Sequence, residues 1–330
     1  MTRRVALLVL TTYWSSVENL LGTLDDRFDV FVHVDLKSKS VPDPASLADH
    51  VHLLDDRVEV YWGGWSVVAA TLKLLKAAMS KKPYDRYALL SGDSLPLLES
   101  GELEERLLTS KIEYIQAAKV ADDPSLAGAS ISESVRRHRS EHPWRFQNRV
   151  FWDNLLLNPM ARAYCAQRYG IDNRCVDLLR TDAQKVFDDL AAELRPSSPP
   201  FESPYVGAQW WALSADAIAL IREDLFSSEV EAFFRFFAVP DEHVLPCLIG
   251  NRLDSLRDTG HSIVGTMMWT NHRARAEGRW TLTSQEIASV RRQHGQELLF
   301  ARKFDPRSAL DVADAIKSRE YAQRILLTAK

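Results

Sequence analysis

The first third of the chain alternates strand-length apolar runs with helical patterns, and this alternation constrains the fold more than any other feature of the sequence. Val5 to Leu10 is a continuous apolar run, Val17 to Leu24 has the apolar spacing of a helix, and Phe28 to Val34 is a second strand candidate. Two buried strands that flank a helix normally pair in parallel. The sequence therefore predicts an α/β fold with a mostly parallel central sheet flanked by helices.

The same alternation continues further along the chain. Gly63 and Gly64 precede a helix whose apolar positions share one face, at Val68, Leu72, Leu75 and Met79. The other predicted elements are strands at Val58 to Tyr61, Arg86 to Ser91 and Ile112 to Ala117, a turn at Gly92 to Pro96 and a helix at Glu99 to Leu108. We divide the 330 residues into an α/β half, 1–120, and a second half, 121–330, packed as one continuous domain with a C-terminal helical extension.

Composition excludes several classes of protein. A formal net charge of -4 and a pI near 6.2 argue against a nucleic-acid binder, so any anion site must be local. The three cysteines, Cys165, Cys175 and Cys247, match no common zinc spacing and favour a reducing compartment. No apolar run approaches the roughly 20 residues that a membrane-spanning helix needs. We therefore expect a cytoplasmic protein, with Trp and basic side chains that allow peripheral contact with the inner face of a membrane.

Ligands of open α/β sheets bind beyond the carboxyl ends of the strands. Thr11 and Thr12 follow the first predicted strand, Asp35 ends the second, and Gly92 to Ser94 follow the strand at Arg86 to Ser91. These residues should cluster at one edge, together with Trp62 to Ser66. The sequence contains neither a G-x-G-x-x-G motif after the first strand nor a P-loop, so it supports neither a dinucleotide-binding fold nor a P-loop enzyme.

Six sequence blocks occur in an order that resembles glycosyltransferase family 14. The blocks are VFVHVDLKS (Val30 to Ser38), WGGWS (Trp62 to Ser66), YALLSGDSLPL (Tyr87 to Leu97), GAQWWALS (Gly207 to Ser214), PDEH (Pro240 to His243) and LFARKFD (Leu299 to Asp305). Together they are similar to the core-2/I-branching β-1,6-N-acetylglucosaminyltransferases and the protein xylosyltransferases, particularly their bacterial relatives. The resemblance extends from about residue 5 to residue 305.

This resemblance implies a GT-A type nucleotide-diphospho-sugar transferase fold, a UDP-sugar donor, inversion at the anomeric carbon, and no metal or other cofactor. In the sequence itself, no two aspartates stand two residues apart, so the Asp-x-Asp metal motif common in GT-A enzymes is missing. One departure concerns Ser94, which stands where many relatives have Asp. Asp93 lies one residue earlier.

The resemblance assigns a diphosphate site and a catalytic base. Arg302 and Lys303 match the family's diphosphate-binding positions, Arg279 lies where some relatives have a further cation, and Glu242 matches the base. An arginine fork and a lysine point charge can stabilise a leaving diphosphate without a metal. From the residues alone, Arg302 and Lys303 could equally be a solvated surface pair, and Pro240 to Glu242 could simply begin a helix.

The remaining candidates surround the nucleoside and the sugar. Nucleoside-binding candidates are Thr11, Asp35, Trp62 and Trp65, and sugar or acceptor candidates are Asp93, Gln209, Trp210 and Trp211. Aromatic faces with a nearby amide are a common carbohydrate-binding arrangement. As alternatives, Asp35 could only terminate a strand, and Trp62, Trp65 and Trp211 could belong to the core.

These expectations combine into one function. The chain should be an inverting, metal-independent glycosyltransferase that moves a sugar of the GlcNAc or xylose type from a UDP-sugar to an oligosaccharide or glycolipid acceptor, in capsule or lipopolysaccharide synthesis. The residues 1–120 would hold the donor nucleotide, and 121–330 the acceptor and the catalytic groups. Two alternatives stay open: a metal-dependent GT-A enzyme that uses Asp35 or Asp93, and a non-catalytic nucleotide- or glycan-binding module.

Overall fold

A computed structural model describes residues 3–60, 64–109, 111–119, 200–234, 239–270, 286, 289–290 and 298–304. Its strands are β1 (Val5–Thr11), β2 (Phe28–Val34), β3 (Val51–Leu53), β4 (Arg86–Ser91), β5 (Ser94–Pro96), β6 (Ile112–Tyr114), β7 (Ala118–Lys119), β8 (Tyr205–Val206), β9 (Ala212–Ser214), β10 (Ser262–Val264), β11 (Met268–Thr270) and β12 (Phe300–Arg302). Its helices are α1 (Trp14–Thr23), α2 (Trp65–Lys81), α3 (Ser100–Thr109), α4 (Ala215–Leu225), α5 (Ser228–Phe234), α6 (Val244–Gly250) and α7 (Leu253–Asp258), with 3₁₀ turns at Pro44–Ser46 and Pro240–Glu242.

The central sheet has the strand order β10-β6-β9-β4-β1-β2-β3. Strand β1 pairs in parallel with β2 on one side and β4 on the other, with Val5 opposite both Phe28 and Arg86. The pairs β2–β3 and β6–β10 are also parallel, while β9 runs antiparallel to β4 and β6. This mostly parallel sheet confirms the predicted fold class and is consistent with a GT-A-like fold.

Burial on both faces explains why β1 and β2 form strands. Every residue of β2 and the first five residues of β1 are buried, and most of them are apolar. Each fully buried Val, Leu or Phe side chain contributes roughly 1.5–3 kcal/mol. Helix α2 packs on β1 and β2 through an apolar face that includes Val68 and Leu75. Helix α1 begins at Trp14, three residues before the predicted start.

The prediction of a strand at Val58 to Tyr61 is wrong for residues 58–60, and Tyr61 lies outside the described residues. Val51–Leu53 pairs with β2 instead. The N–H of Val58 donates to Nε2 of His33 (2.9 Å), and the N–H of Val60 donates to Oδ1 of Asp35 (3.3 Å). Side-chain acceptors therefore take the hydrogen bonds that a further strand would have given to its neighbour.

Part of the segment predicted as a turn at Gly92 to Pro96 forms strand β5, which belongs to a second, three-stranded sheet. In this sheet β12 lies between β11, which is parallel to it, and β5, which is antiparallel. Arg302 stands opposite Ser94. The pairing carries a segment from near the end of the described chain to the carboxyl end of β4.

The central sheet contains strands from both predicted halves, since β9 and β10 join strands of the first half. The boundary at residue 120 adjoins residues 120–199, which lie outside the described ranges, so the division stays a prediction.

No helix in the described ranges combines the length and apolar character needed to cross a membrane.

A buried carboxylate joins three strands and a loop at the amino end of β4. Glu113 in β6 has no solvent exposure and lies 3.3 Å from the Arg86 guanidinium of β4. It also accepts a hydrogen bond from the Ser214 N–H of β9 (2.8 Å), and Nδ1 of His261 lies 2.7 Å away. In a medium of low polarity, a buried charge needs such partners. This network therefore fixes the sheet at the edge opposite the carboxyl ends of β1, β2 and β4.

We expect Glu113→Gln to lower the free energy of unfolding by about 3–5 kcal/mol, because it leaves a buried guanidinium without its counter-charge. The matched control is Glu102→Gln, which breaks an exposed pair with Arg106 at 3.0 Å. That change should cost less than about 1 kcal/mol. Urea denaturation measures both values, and equal losses for the two variants would contradict the assignment.

Candidate functional site

The carboxyl ends of β1, β2 and β4 meet at one edge of the sheet, as predicted. The N–H of Asp35 donates to the Thr11 carbonyl oxygen (2.8 Å), and the N–H of Gly92 donates to the Leu10 carbonyl oxygen (2.9 Å). Gly92 is required for this close approach, because a Cβ there would lie 2.6 Å from Oγ1 of Thr11. The polar residues that follow these strands therefore form one continuous edge.

Two cations converge on Asp93 at this edge. Nη2 of Arg302 lies 3.2 Å from Oδ1 of Asp93, and Nζ of Lys303 lies 3.9 Å from Oδ2. The Asp93 side chain also accepts a short hydrogen bond from the Ser91 hydroxyl, and its backbone carbonyl accepts from the Phe304 N–H (3.1 Å). Side chain and backbone together hold β12 against the turn after β4.

Trp210 also contacts the Arg302 guanidinium. The guanidinium carbon lies 4.5 Å from the centre of the indole ring, a cation–π contact. The guanidinium thus contacts both a carboxylate and an aromatic ring. We call Asp93, Trp210, Arg302 and Lys303 the cation cluster. Its three charged groups together carry one net positive charge, and a planar guanidinium beside an ammonium suits a phosphate or diphosphate anion.

Glu242 ends the 3₁₀ turn Pro240–Glu242. Val239, directly before the turn, has a φ of 46°, a left-handed conformation that is strained for a β-branched residue. Burial, together with the smaller effect of the neighbouring Asp241 charge, raises the pKa of Glu242 from an ordinary 4.5 to about 7. A carboxylate with a pKa near neutrality is suited to accept a proton at physiological pH.

Asp241 is unusual in its own right. Burial raises its pKa to about 6, and among the described residues its Oδ1 atom has no hydrogen-bond partner. An unpaired buried carboxylate oxygen is costly when it is charged, which is why burial raises the pKa of Asp241. The charge of Asp241 in turn contributes to the raised pKa of Glu242.

Gly207 connects this turn to the cation cluster. Its N–H donates to the Glu242 carbonyl oxygen (2.9 Å), and three residues further on Trp210 contacts Arg302. Three residues span at most about 10 Å. A Cβ at Gly207 would lie 1.7 Å from the Gln116 carbonyl oxygen, so no side chain fits there. The candidate base and the candidate diphosphate site therefore share one region, although some sixty positions separate them in sequence.

The nucleoside candidates are engaged within the protein. Oδ1 of Asp35 accepts hydrogen bonds from the N–H of Lys37 (3.0 Å) and of Val60 (3.3 Å), and the Lys37 ammonium lies 2.8 Å from Oδ2. The Thr11 hydroxyl donates to the Tyr13 carbonyl oxygen (2.8 Å). Asp35 is thus the anchor of the 58–60 segment, a role close to the alternative of a strand-terminating Asp.

Three of the tryptophan candidates lie in the hydrophobic core, namely Trp65, Trp210 and Trp211. Trp211 is 1% exposed and Trp65 is 6% exposed, so both fit the alternative of core residues. Gln209 is half-buried beside Trp210. Trp62 and Arg279 lie outside the described residues, as does the aromatic and basic stretch from His138 to Trp152.

The sequence did not indicate the contact of Asp93 with the two cations, because 209 positions separate it from Arg302. Lys37 was also missed as the partner of Asp35, although Asp and Lys two residues apart after a strand are a local signal of a turn. Within the described ranges, no group of three or more His, Cys, Asp or Glu residues is arranged to hold a metal ion.

Comparison with known proteins supports the interpretation of the first third of the chain. The sequence model of the Core-2/I-Branching enzyme family matches residues 15–124, about a third of the chain. The matched segment contains β2, β4 and Asp93, whereas Glu242, Arg302 and Lys303 lie beyond it. No curated protein matched. The family match points to a glycosyltransferase.

We expect Glu242 to titrate with a pKa of about 7. Asp241→Asn should lower this pKa, because it removes a neighbouring negative charge. Carbon-13 NMR of the carboxyl groups measures the shift. The control is Asp254→Asn, whose side chain is 95% exposed, and it should leave the pKa of Glu242 unchanged. A Glu242 that titrates near 4.5 in the unaltered protein would refute the burial that we assign to it.

The same pKa has a consequence for stability. Because folding raises it, the folded protein binds the Glu242 proton more tightly than the unfolded chain. This contribution to stability is fully present below about pH 4.5 and is lost as the pH rises to about 7. Glu242→Gln should abolish that part of the pH dependence of unfolding.

Proposed function

We propose that this protein is an inverting, metal-independent glycosyltransferase that moves a sugar from a UDP-sugar to a saccharide hydroxyl. The observation that carries the proposal is that Glu242, a half-buried glutamate with a raised pKa, is linked through Gly207 to the segment of Trp210. Trp210 in turn contacts Arg302, one of the two cations paired with Asp93. The family match over residues 15–124 supports the same class of reaction. The sheet edge between them is where ligands of α/β proteins bind.

In the proposed reaction, Glu242 accepts the proton of the acceptor hydroxyl. The hydroxyl oxygen forms a bond to the anomeric carbon while the bond from that carbon to the β-phosphate oxygen breaks, and UDP leaves with the bonding electron pair. Attack opposite the leaving group inverts the anomeric carbon through an oxocarbenium-like state. The base then carries the proton, and no covalent sugar–enzyme intermediate forms.

The burial of Glu242 supports its role as the base. A base works best when its pKa is close to the working pH, since it must be ionised before the transfer and still attract a proton during it. An ordinary glutamate, with a pKa near 4.5, would be ionised but weakly basic. At neutral pH a pKa of about 7 leaves about half of the groups ready to accept a proton.

The cation cluster would stabilise the charge that develops on the leaving diphosphate. Arg302 can donate two parallel hydrogen bonds to phosphate oxygens, and Lys303 adds a point charge. Both are held in place before the donor binds, by Asp93 and, for Arg302, by Trp210. Groups that need no rearrangement stabilise a transition state most effectively. Arg302 and Lys303 would thus do the work of the metal in other GT-A enzymes.

The finer proposal concerns substrates. By the resemblance to family 14, the sugar would be of the GlcNAc or xylose type and the acceptor an oligosaccharide or glycolipid of a capsule or lipopolysaccharide. Such an acceptor would bring the cytoplasmic enzyme to the inner face of the membrane. These points rest on analogy with the family.

We expect the protein to hydrolyse one UDP-sugar slowly, and to transfer its sugar to a suitable acceptor, in the presence of EDTA. Glu242→Gln should lower the transfer rate by about 10²- to 10⁴-fold and leave UDP affinity unchanged, because only the proton acceptor is lost. The release of UDP measures the rate, and Asp254→Asn is the control, since its exposed carboxylate lies on α7.

Three results would contradict this proposal in different ways. A rate abolished by EDTA would favour the metal-dependent enzyme. UDP binding with no turnover of any donor would favour a binding module. Full activity of Glu242→Gln would leave the class of enzyme standing and remove the assigned base.

We expect Lys303→Ala and Arg302→Lys each to weaken UDP binding by about ten- to hundredfold, because each loses charge-assisted hydrogen bonds to the diphosphate. Arg302→Lys keeps the positive charge and removes only the paired N–H donors of the guanidinium. Lys73→Ala is the matched control. Lys73 lies on α2 and forms an ion pair with Asp56, outside the cation cluster. Isothermal titration calorimetry measures the affinities, and values equal to that of the unaltered protein would remove the pair from the donor site.

A further inference from the structure

Helix α1 begins after a residue that is not one of the preferred N-cap types. Tyr13 is the N-cap residue of α1, and its side chain makes no capping hydrogen bond. Ser, Thr, Asp and Asn are preferred at this position because their short side chains bond to the free N–H groups of the first turn. A residue that gives up such stabilisation without a local gain is expected at functional sites.

Tyr13 is also the most exposed of the large hydrophobic side chains in the described ranges. Its side chain is 68% exposed, and that of Leu36 is 46% exposed. The two residues leave the sheet side by side, because β1 and β2 pair in parallel as far as Thr11 and Val34 and the Asp35 N–H donates to the Thr11 carbonyl oxygen (2.8 Å). An aromatic ring and a branched aliphatic side chain thus stand in solvent at the ligand-binding edge.

The polar groups around them are already used by the protein. The Asp35 carboxylate accepts hydrogen bonds from Lys37 and Val60. The Thr11 hydroxyl donates to the Tyr13 carbonyl oxygen and accepts a hydrogen bond from the Tyr13 N–H. The backbone of Tyr13 is therefore fixed while its ring extends outward. A ligand at this point meets a ring face more readily than a free carboxylate.

The span from the cation cluster, past Tyr13, to Leu36 fits a nucleoside diphosphate. Asp93 follows β4, Tyr13 follows β1 and Leu36 follows β2, and these three strands are neighbours in that order. Neighbouring strands lie about 4.8 Å apart, so this edge covers on the order of 10 Å from Asp93 to Leu36. That is comparable with the distance from the second phosphate of a nucleoside diphosphate, through the ribose, to its base.

We propose that Tyr13, with Leu36 beside it, is the platform on which the pyrimidine base of the donor stacks while its diphosphate lies on Arg302 and Lys303. This inference rests on the proposed function, since it assumes a UDP-sugar donor. An exposed aromatic face binds a base through its π surface and through burial of apolar area. The poor cap at α1 is then explained, because the position serves the ligand.

The test compares two ligands, UDP and inorganic pyrophosphate, by isothermal titration calorimetry. Tyr13→Ser should weaken UDP binding by about tenfold or more, the range for loss of one base–aromatic stack, and leave pyrophosphate binding unchanged. The same change should keep or raise the unfolding temperature, because serine is a good N-cap. Tyr13→Trp should keep the UDP affinity. Phe226→Ala, which removes another exposed aromatic ring, is the control and should alter neither ligand.

The outcomes separate this inference from the function on which it rests. UDP affinity unchanged in Tyr13→Ser but lost in Lys303→Ala would overturn the platform and leave the diphosphate site standing. Equal losses of UDP and pyrophosphate in Tyr13→Ser would also overturn it, because they would show a general disturbance of the edge. An unaltered protein that binds neither ligand would overturn the proposed function and the platform together.

Discussion

Parallel pairing of β1 with both β2 and β4 is the constraint on which the rest of the structure depends. Because the three strands run the same way and their first residues are in register, their carboxyl ends finish at the same edge. Asp35 and Gly92 then hydrogen-bond to the backbone at the end of β1, and Asp93 is placed where β12 can reach it. The anion-binding chemistry that we propose for this edge would follow from this geometry rather than from any single motif.

Strands and helices with a strong local signal could be predicted, and those decided by competition for hydrogen bonds could not. β1, β2, β4 and α2 follow from apolar runs and helical spacing. The segment from Val58 looks equally strand-like, but the acceptors of His33 and Asp35 take its N–H groups. Ser94–Pro96 forms a strand only because β12 arrives from far along the chain. Nothing local in either sequence indicates these outcomes.

For the site, residue types could be predicted and their partners could not. Arg302, Lys303 and Glu242 were chosen from a resemblance, but the contacts that support their roles join residues far apart in the sequence. Asp93 and Trp210 hold Arg302, and burial beside Asp241 shifts the pKa of Glu242. For Trp211, burial favours the alternative of a core residue. Trp210 lies in the same core cluster and still contacts the Arg302 guanidinium.

The ion pairs of Asp93 also bear on selectivity against the anions that are abundant in a cell. Two bare cations would attract any phosphate, whereas Asp93 reduces the resting charge of the three groups to one. A small anion gains little by competing with a carboxylate that is already in place. A larger ligand brings a second phosphate and further contacts along the sheet edge, and so it can compete. In the proposed site, Asp93 would therefore act as an internal competitor that sets the affinity a ligand needs to occupy it.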